Sequence, residues 1–267
     1  MLPYIHIFHL SIPMYGVMAG AGCLLAVLYL KLEERRRGEN GADTELAFAY
    51  GLIGTFAGAK LLSVLTQLPQ VIRDWDLLFT NTAWFLQTYL QSGFVFYGGL
   101  YGALLGGALY AKFGHADLEG LLRRLLPAVA LIHGFGRLGC FCMGCCYGIP
   151  SENLGIVLPE SLLAPRDVPL LPVQLYEAAL EFILFGVLAV LSRRERNGRG
   201  MLGLYLTVYG LARFALEFFR GDGYRGVAWD LSTSQWISIP TVAFGIFLLL
   251  RRCEKPRRRE EPALEKC

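Results

Sequence analysis

Seven stretches of the chain are almost free of charge and long enough to cross a bilayer, which takes about 20 apolar residues. Ser11–Leu30, Gly93–Ala111 and Leu231–Leu250 carry no charge at all. Leu46–Val71 holds only Lys60, and Leu125–Pro150 holds His133 and Arg137. Pro172–Leu191 contains Glu177 and Glu181, and Met201–Phe219 contains Arg213 and Glu217. The pattern predicts an all-α integral membrane protein with seven transmembrane helices. No Lys or Arg precedes the first run, so it lacks the basic start of a cleaved signal peptide and reads as a retained span.

Composition agrees with the pattern. Of 267 residues, 54% are hydrophobic and 18% charged, too few charges to cover a soluble globule or sustain a disordered chain. The placement of the basic residues gives a direction. The segments after the first, third, fifth and seventh runs hold 18 of the 25 Lys and Arg residues. The positive-inside rule therefore predicts an N-terminus outside and a C-terminus in the cytoplasm, as an odd number of spans requires. Residues 1–250 form one membrane domain in this reading, and 251–267 a basic cytoplasmic tail beside anionic lipid. Residues 68–92, with Trp75 and Trp84, are expected to lie along the membrane interface. Gly98, Gly102 and Gly106 are spaced for close helix packing.

Charges within the spans are the strongest functional signal, because an arginine at mid-membrane costs roughly 2.5–3.5 kcal/mol on insertion scales. Tyr209, Arg213 and Glu217 recur every four residues on one helix face, with Arg220 a turn beyond. His133, Arg137 and Cys140 share a face of another helix. Two guanidinium forks on different helices suit the phosphate of an anionic phospholipid. The plainer alternative is that Glu217 and Glu181 merely neutralise Arg213 and Lys60. Glycines 134, 136, 139, 144 and 148 are expected to let backbone approach a headgroup. Enzyme and lipid transporter both remain open on chemistry alone.

Several of these stretches form motifs. Gly136-Arg137-Leu138-Gly139-Cys140-Phe141-Cys142-Met143-Gly144-Cys145-Cys146-Tyr147-Gly148 resembles the signature loop of the prolipoprotein diacylglyceryl transferases, which reads about G-R-x-G-N-F-x-N-G-E-x-x-G. Tyr15-Gly16, Phe96-Tyr97-Gly98-Gly99-Leu100, Pro172-Val173-Gln174-Leu175-Tyr176-Glu177 and Arg213 through Arg220 are similar to that family's other motifs, in the same order. The resemblance implies transfer of diacylglycerol from phosphatidylglycerol to the cysteine thiol of a lipoprotein precursor in the bacterial inner membrane. It implies that Arg137 and Arg213 clamp the phosphate and that Glu217 orients Arg213. Tyr15, Gly98, Gly99, Gln174, Tyr176, Tyr209 and Arg220 would line the lipid site. The family's histidine stands as Tyr97 here, its Asn as Cys140 and its Glu as Cys145. Tyr97 or His133 would have to serve where that histidine does, and a tyrosine, ordinarily near pKa 10, is a poor base at neutral pH. No cofactor and no nucleic-acid partner is expected.

Four of the seven cysteines fall at 140, 142, 145 and 146. Cys142 and Cys145 have CxxC spacing, which makes a disulfide or redox pair the first reading on the outer side of a membrane. A metal site with His133 ranks last, because one short cluster lacks the two separated ligand pairs of usual structural sites. A membrane thiol-disulfide or metal-binding protein is accordingly the rival function.

Overall fold

The computed structural model describes residues 3–7, 10–38, 41–91, 95–158, 161, 163–194, 197–222, 227–228 and 231–251. The tail beyond Arg251, with Cys253 and Cys267, lies outside the described residues, as do Arg196, Arg225 and Trp229. A hairpin of β1 (Tyr4–Ile7) and β2 (Leu10–Pro13) leads into α1 (Met14–Arg37) and α2 (Ala42–Thr66). Short helices follow: α3 (Leu68–Arg73), α4 (Leu77–Thr80), α5 (Thr82–Leu86) and a π-turn over Gln87–Gln91. Then come α6 (Phe96–Phe113), α7 (Leu118–Met143), α8 (Val173–Arg194) and α9 (Gly198–Glu217). The small pair β3 (Val227–Ala228) and β4 (Leu231–Ser232) precedes α10 (Thr233–Arg251).

Each of the seven apolar runs holds a helix of at least 18 residues, and five of these helices (α1, α2, α7, α8 and α10) are long and apolar enough to cross a membrane. Leucines, isoleucines and phenylalanines along them are widely exposed, as a hydrocarbon solvent permits and water does not. Residues 68–91 form a run of short helices, with Trp75 and Trp84 exposed.

Helix boundaries differ from the apolar runs where capping groups decide them. The first helix begins at Met14 rather than Ser11, because residues 11–13 pair in the hairpin and Pro13 holds the extended N-cap. The second stops at Thr66, and Pro69 opens a separate helix. Helix α7 starts well before Leu125, where the Asp117 carboxylate accepts from the amides of Glu119 and Gly120. It ends at Met143 rather than Pro150 because Gly144 takes a left-handed cap at φ 69°.

α7 is the central helix. More than half of its most apolar stretch is buried, against 11% for α2, and it packs on α1, α8 and α9. α2 lies along α6, and α9 along α10. The α2–α6 contact runs backbone to backbone: a Cβ at Gly98 would strike the Gly58 carbonyl, and one at Gly102 the Gly54 carbonyl. The main core joins Tyr97 and Leu100 of α6, Leu126 and Ala130 of α7, Leu184 and Leu188 of α8, and Met201 to Tyr209 of α9.

Candidate lipid-phosphate site

Beside this core lies a buried group of charges drawn from three helices. The Glu177 carboxylate of α8 is its hub. Its Oε2 meets Nε of Arg137 on α7 at 2.5 Å, and its Oε1 meets Nη1 of Arg213 on α9 at 3.2 Å. Arg220 Nη1 approaches the same oxygen at 3.9 Å. Arg213 is also paired with Glu217 one turn along α9 and donates to Ser234 Oγ at 3.1 Å. Arg220 is gripped by Asp222 at 2.7 and 2.8 Å. It comes into reach because the segment after α7 zips against the end of α9: the amide of Ile149 donates to the Phe219 carbonyl, and the amide of Gly221 to that of Tyr147.

Both polar contacts of Arg137, to Glu177 and to His133 Nε2 at 3.3 Å, go through Nε, and its guanidinium carbon lies 5.7 Å from the centre of the Phe96 ring. Its two terminal nitrogens therefore keep a free fork among the described residues. The Tyr209 hydroxyl is buried with no hydrogen-bond partner among them, within electrostatic reach of Arg137 and Arg213. A buried hydroxyl left unpaired costs about 1–3 kcal/mol, so it marks a place where a ligand oxygen fits.

The other predicted residues divide. His133 is stacked on Phe96, with ring centroids 3.7 Å apart, while its Nδ1 faces Glu181 at 2.8 Å and the Tyr205 hydroxyl at 3.4 Å. Glu181 thus pairs with His133 and not with Lys60: α8 packs on α7, whereas Lys60 sits on α2. Tyr97 is buried against Tyr209, and its hydroxyl bonds Ser238 Oγ at 2.5 Å. Gly98 faces the α2 backbone, and Gly99 faces Thr55 of the same helix. Gly134 and Gly139 make room for Phe182 and Tyr15 rather than for a headgroup. Tyr15 is half exposed, with Arg137 and the cysteines of the loop near its hydroxyl. Tyr176 is also exposed. Gln174 is buried, and its Nε2 donates to the Cys145 carbonyl at 2.7 Å. Sequence reasoning left the hub Glu177 out of the site; the signal for it was a second carboxylate, Glu181, four residues on, which put two acids on one face of an apolar helix.

No disulfide joins any of Cys23, Cys140, Cys142, Cys145 and Cys146, so the one expected between Cys142 and Cys145 is not formed. The sulfurs of Cys140, Cys145 and Cys146 instead lie within 4.8 Å of one another, and Cys142 is not among them. Residues 140 and 142 point about 200° apart around the helix, and the left-handed turn at Gly144 folds 145 and 146 back over the face of 140.

A membrane-embedded helical bundle with buried arginines from separate helices, a spare guanidinium fork and an unpaired hydroxyl has the build of a protein that handles a lipid phosphate. The family profile described as prolipoprotein diacylglyceryl transferase matches residues 3–251, and the chain belongs to that family. It is 37% identical to the phosphatidylglycerol–prolipoprotein diacylglyceryl transferase of Clostridium tetani, over 91% of this chain and 94% of the relative. It is 35% identical to the second such enzyme of Clostridium perfringens, over 91% of both chains. The corresponding protein of Aromatoleum aromaticum is 32% identical over 90% of both.

Proposed function

We propose that this chain moves the diacylglyceryl group of phosphatidylglycerol onto the cysteine thiol of a lipoprotein precursor. Its relatives are named for that reaction, and the one observation in the site that carries it is the unused Arg137 fork beside the unpaired Tyr209 hydroxyl. In this reading the terminal nitrogens of Arg137 and the guanidinium of Arg213 hold the phosphodiester. Glu177 spaces the two arginines, Glu217 sets the plane of Arg213, and Tyr209 donates to a phosphate oxygen. The acceptor thiolate attacks the glyceryl carbon that bears the phosphate ester. A C–S bond forms, the C–O bond breaks, and the electron pair leaves on glycerol phosphate, whose added charge the arginines, fixed in place beforehand, stabilise. Arg220, held by Asp222, adds positive potential from the outer side. Gln174 acts on the headgroup loop through the Cys145 carbonyl, and Tyr15 and Tyr176 border the acyl chains.

The same reading places all seven long helices across the bacterial inner membrane, with the N-terminus outside and residues 251–267 as a cytoplasmic tail. The signature loop and the arginines then sit toward the outer leaflet. A reporter fused after Cys267 should be cytoplasmic and one inserted near residue 160 external; both on one side would end the seven-span arrangement. For the reaction, the decisive experiment is whether this gene sustains a cell depleted of its own diacylglyceryl transferase, with the thioether product identified by mass spectrometry. Survival only when the native enzyme is restored, with no modified precursor, would overturn the assignment.

A further inference from the structure

Neither of the residues that stand in for the family's histidine is well placed to take the acceptor's proton. Tyr97 is committed to Ser238, and both ring nitrogens of His133 face partners while Phe96 covers the ring. A few residues beyond Arg137 on the same segment, where the family pattern has Asn and Glu, this chain gathers three thiols. We infer that Cys140, Cys145 and Cys146 form a three-thiolate site for zinc, whose fourth position binds the acceptor cysteine as thiolate for transfer.

Three features carry this. The first is geometry. Tetrahedral zinc with Zn–S bonds of about 2.3 Å needs sulfurs about 3.8 Å apart, and the three sulfurs here lie within 4.8 Å of one another, so about 1 Å of closure suffices. The second is that the loop is built to hold them there. Gly144 and Cys146 both have left-handed backbone, at φ 69° and 62°. A bulky residue in that region is uncommon and has to be held by its surroundings. Here the holding bonds are visible: the Cys145 amide returns to the Cys140 carbonyl, Gln174 grips the Cys145 carbonyl, and the Ser161 hydroxyl donates to the Gly144 carbonyl. Packing alone does not call for three converging sulfurs, since thiols are weak hydrogen-bonding partners for each other.

The third feature is charge. Zinc with three thiolates carries one net negative charge, and Arg137 and Arg220 both act on the Cys146 sulfur while Arg137 also acts on Cys140. Thiolate donors select zinc over magnesium or calcium, and a site with three protein ligands keeps an open coordination position. A thiol that takes that position is ionised outright. Its proton passes to water, the zinc-held sulfur attacks the glyceryl carbon, and the pair released from the C–O bond leaves on glycerol phosphate. The thioether product is a poor ligand and departs, with no change in oxidation state. The capture of the acceptor rests on the transfer reaction proposed above; the occupancy of the three sulfurs does not.

The test uses the full chain, purified in detergent under reducing conditions and exposed to zinc. One zinc per chain is expected by elemental analysis. Cys140→Ser, Cys145→Ser and Cys146→Ser should each lower it tenfold or more, Cys142→Ser and Cys23→Ser should leave it unchanged, and Cys146→His should keep it. Retention in the histidine variant separates lost ligation from lost folding. With cobalt(II) in place of zinc, thiolate-to-metal charge-transfer absorption should appear. A peptide carrying one cysteine should shift the ligand-field bands, and its serine analogue should not. Metal-free protein with free thiols, a persistent disulfide among the three, a closed copper(I) site that ignores the peptide, or equal loss of metal in Cys142→Ser would each overturn the inference. Transfer at full rate by rigorously metal-free protein would also overturn it while leaving the transferase reading intact. A zinc-loaded chain whose cobalt spectrum answers the thiol peptide yet which transfers no lipid would support the metal site and defeat the transferase reading instead.

Discussion

Arginines gather around a carboxylate at both ends of α8, under opposite conditions. Near its C-terminus Arg193 reaches Glu33 of α1 at 2.6 Å, with Arg36 at 3.4 Å and Arg37 at 3.8 Å from the same carboxylate. Sixteen residues earlier, roughly 24 Å along the helix, Glu177 meets Arg137, Arg213 and Arg220. The residue types are the same, and solvent separates the two groups. The Arg36 and Arg193 side chains are 61% and 44% exposed, while those of Arg213 and Arg220 are 3% exposed. In the first group Glu33 is itself buried and Arg37 is 15% exposed, but water reaches Arg36 and Arg193, and pairs with an exposed partner of that kind contribute about 0–1 kcal/mol. In the second, each charge has been taken from water at a cost of several kcal/mol, so its partners have to be nearly complete. Among the described residues the places where they are not, the Arg137 fork, Arg220 Nη1 and the Tyr209 hydroxyl, are where a ligand enters the account.

That contrast breaks most easily at the arginines. Arg137→Ala or Arg213→Ala should lower transfer by about 100-fold or more, the scale of losing a preorganised donor to developing negative charge. Arg193→Ala at the other end should stay within about twofold. Arg213→Lys should recover little, because an ammonium cannot span two oxygens in a plane. Turnover of a fluorescent phosphatidylglycerol with a cysteine peptide measures all four. Equal losses at both ends of α8 would mean that burial had not marked the site.

Removing the hubs compares the two ends as structure rather than as catalysis. Glu177→Gln leaves three sealed arginines short of one negative charge and should destabilise the protein by about 3–5 kcal/mol, read as a large drop in the unfolding midpoint in detergent. Glu33→Gln, after which Arg36 and Arg193 can turn to water while the covered Arg37 keeps its bond to the Ser192 carbonyl, should cost less, about 1–2 kcal/mol. If the two midpoints fall together, the sealed group is no more demanding than the one whose arginines reach water.

The two groups were unequally legible from sequence. Arg137 and Arg213 stand out because each interrupts a long apolar run, and that interruption needs no knowledge of neighbours. The role of Glu177 does depend on neighbours: only the packing of α8 against α7 and α9 turns it into a hub, and the same packing takes Glu181 to His133 instead of Lys60. Helix positions were readable from apolarity, but helix ends were not, since they turn on two hydrogen bonds to Asp117 and one left-handed residue at Gly144. The cysteines show the same limit. A CxxC spacing suggests that Cys142 and Cys145 belong together, and the left-handed turn at Gly144 instead brings Cys145 and Cys146 to Cys140.

The smallest predicted change sharpens the contrast furthest, because it alters a single oxygen. Tyr209→Phe keeps the ring that packs on Phe96, Tyr97 and His133, with centroid distances of 5.2, 5.8 and 5.0 Å. It removes a buried hydroxyl that has no partner among the described residues. In the resting protein that deletion should be neutral or slightly stabilising, since an unmet desolvation cost disappears with the atom. In the reaction it should cost about tenfold, equivalent to about 1.4 kcal/mol of barrier, if the hydroxyl donates to the phosphate as charge builds on the leaving oxygen. Tyr205→Phe is the matched control: its hydroxyl lies 3.4 Å from His133 Nδ1, so its loss disturbs an existing contact rather than an empty one. An unfolding midpoint that holds or rises together with a slower transfer step would assign the Tyr209 oxygen to the substrate. A lowered midpoint with unchanged turnover per folded molecule would make it part of the core and leave the phosphate to the Arg137 fork and Arg220 Nη1, the latter buried without a hydrogen-bond partner among the described residues.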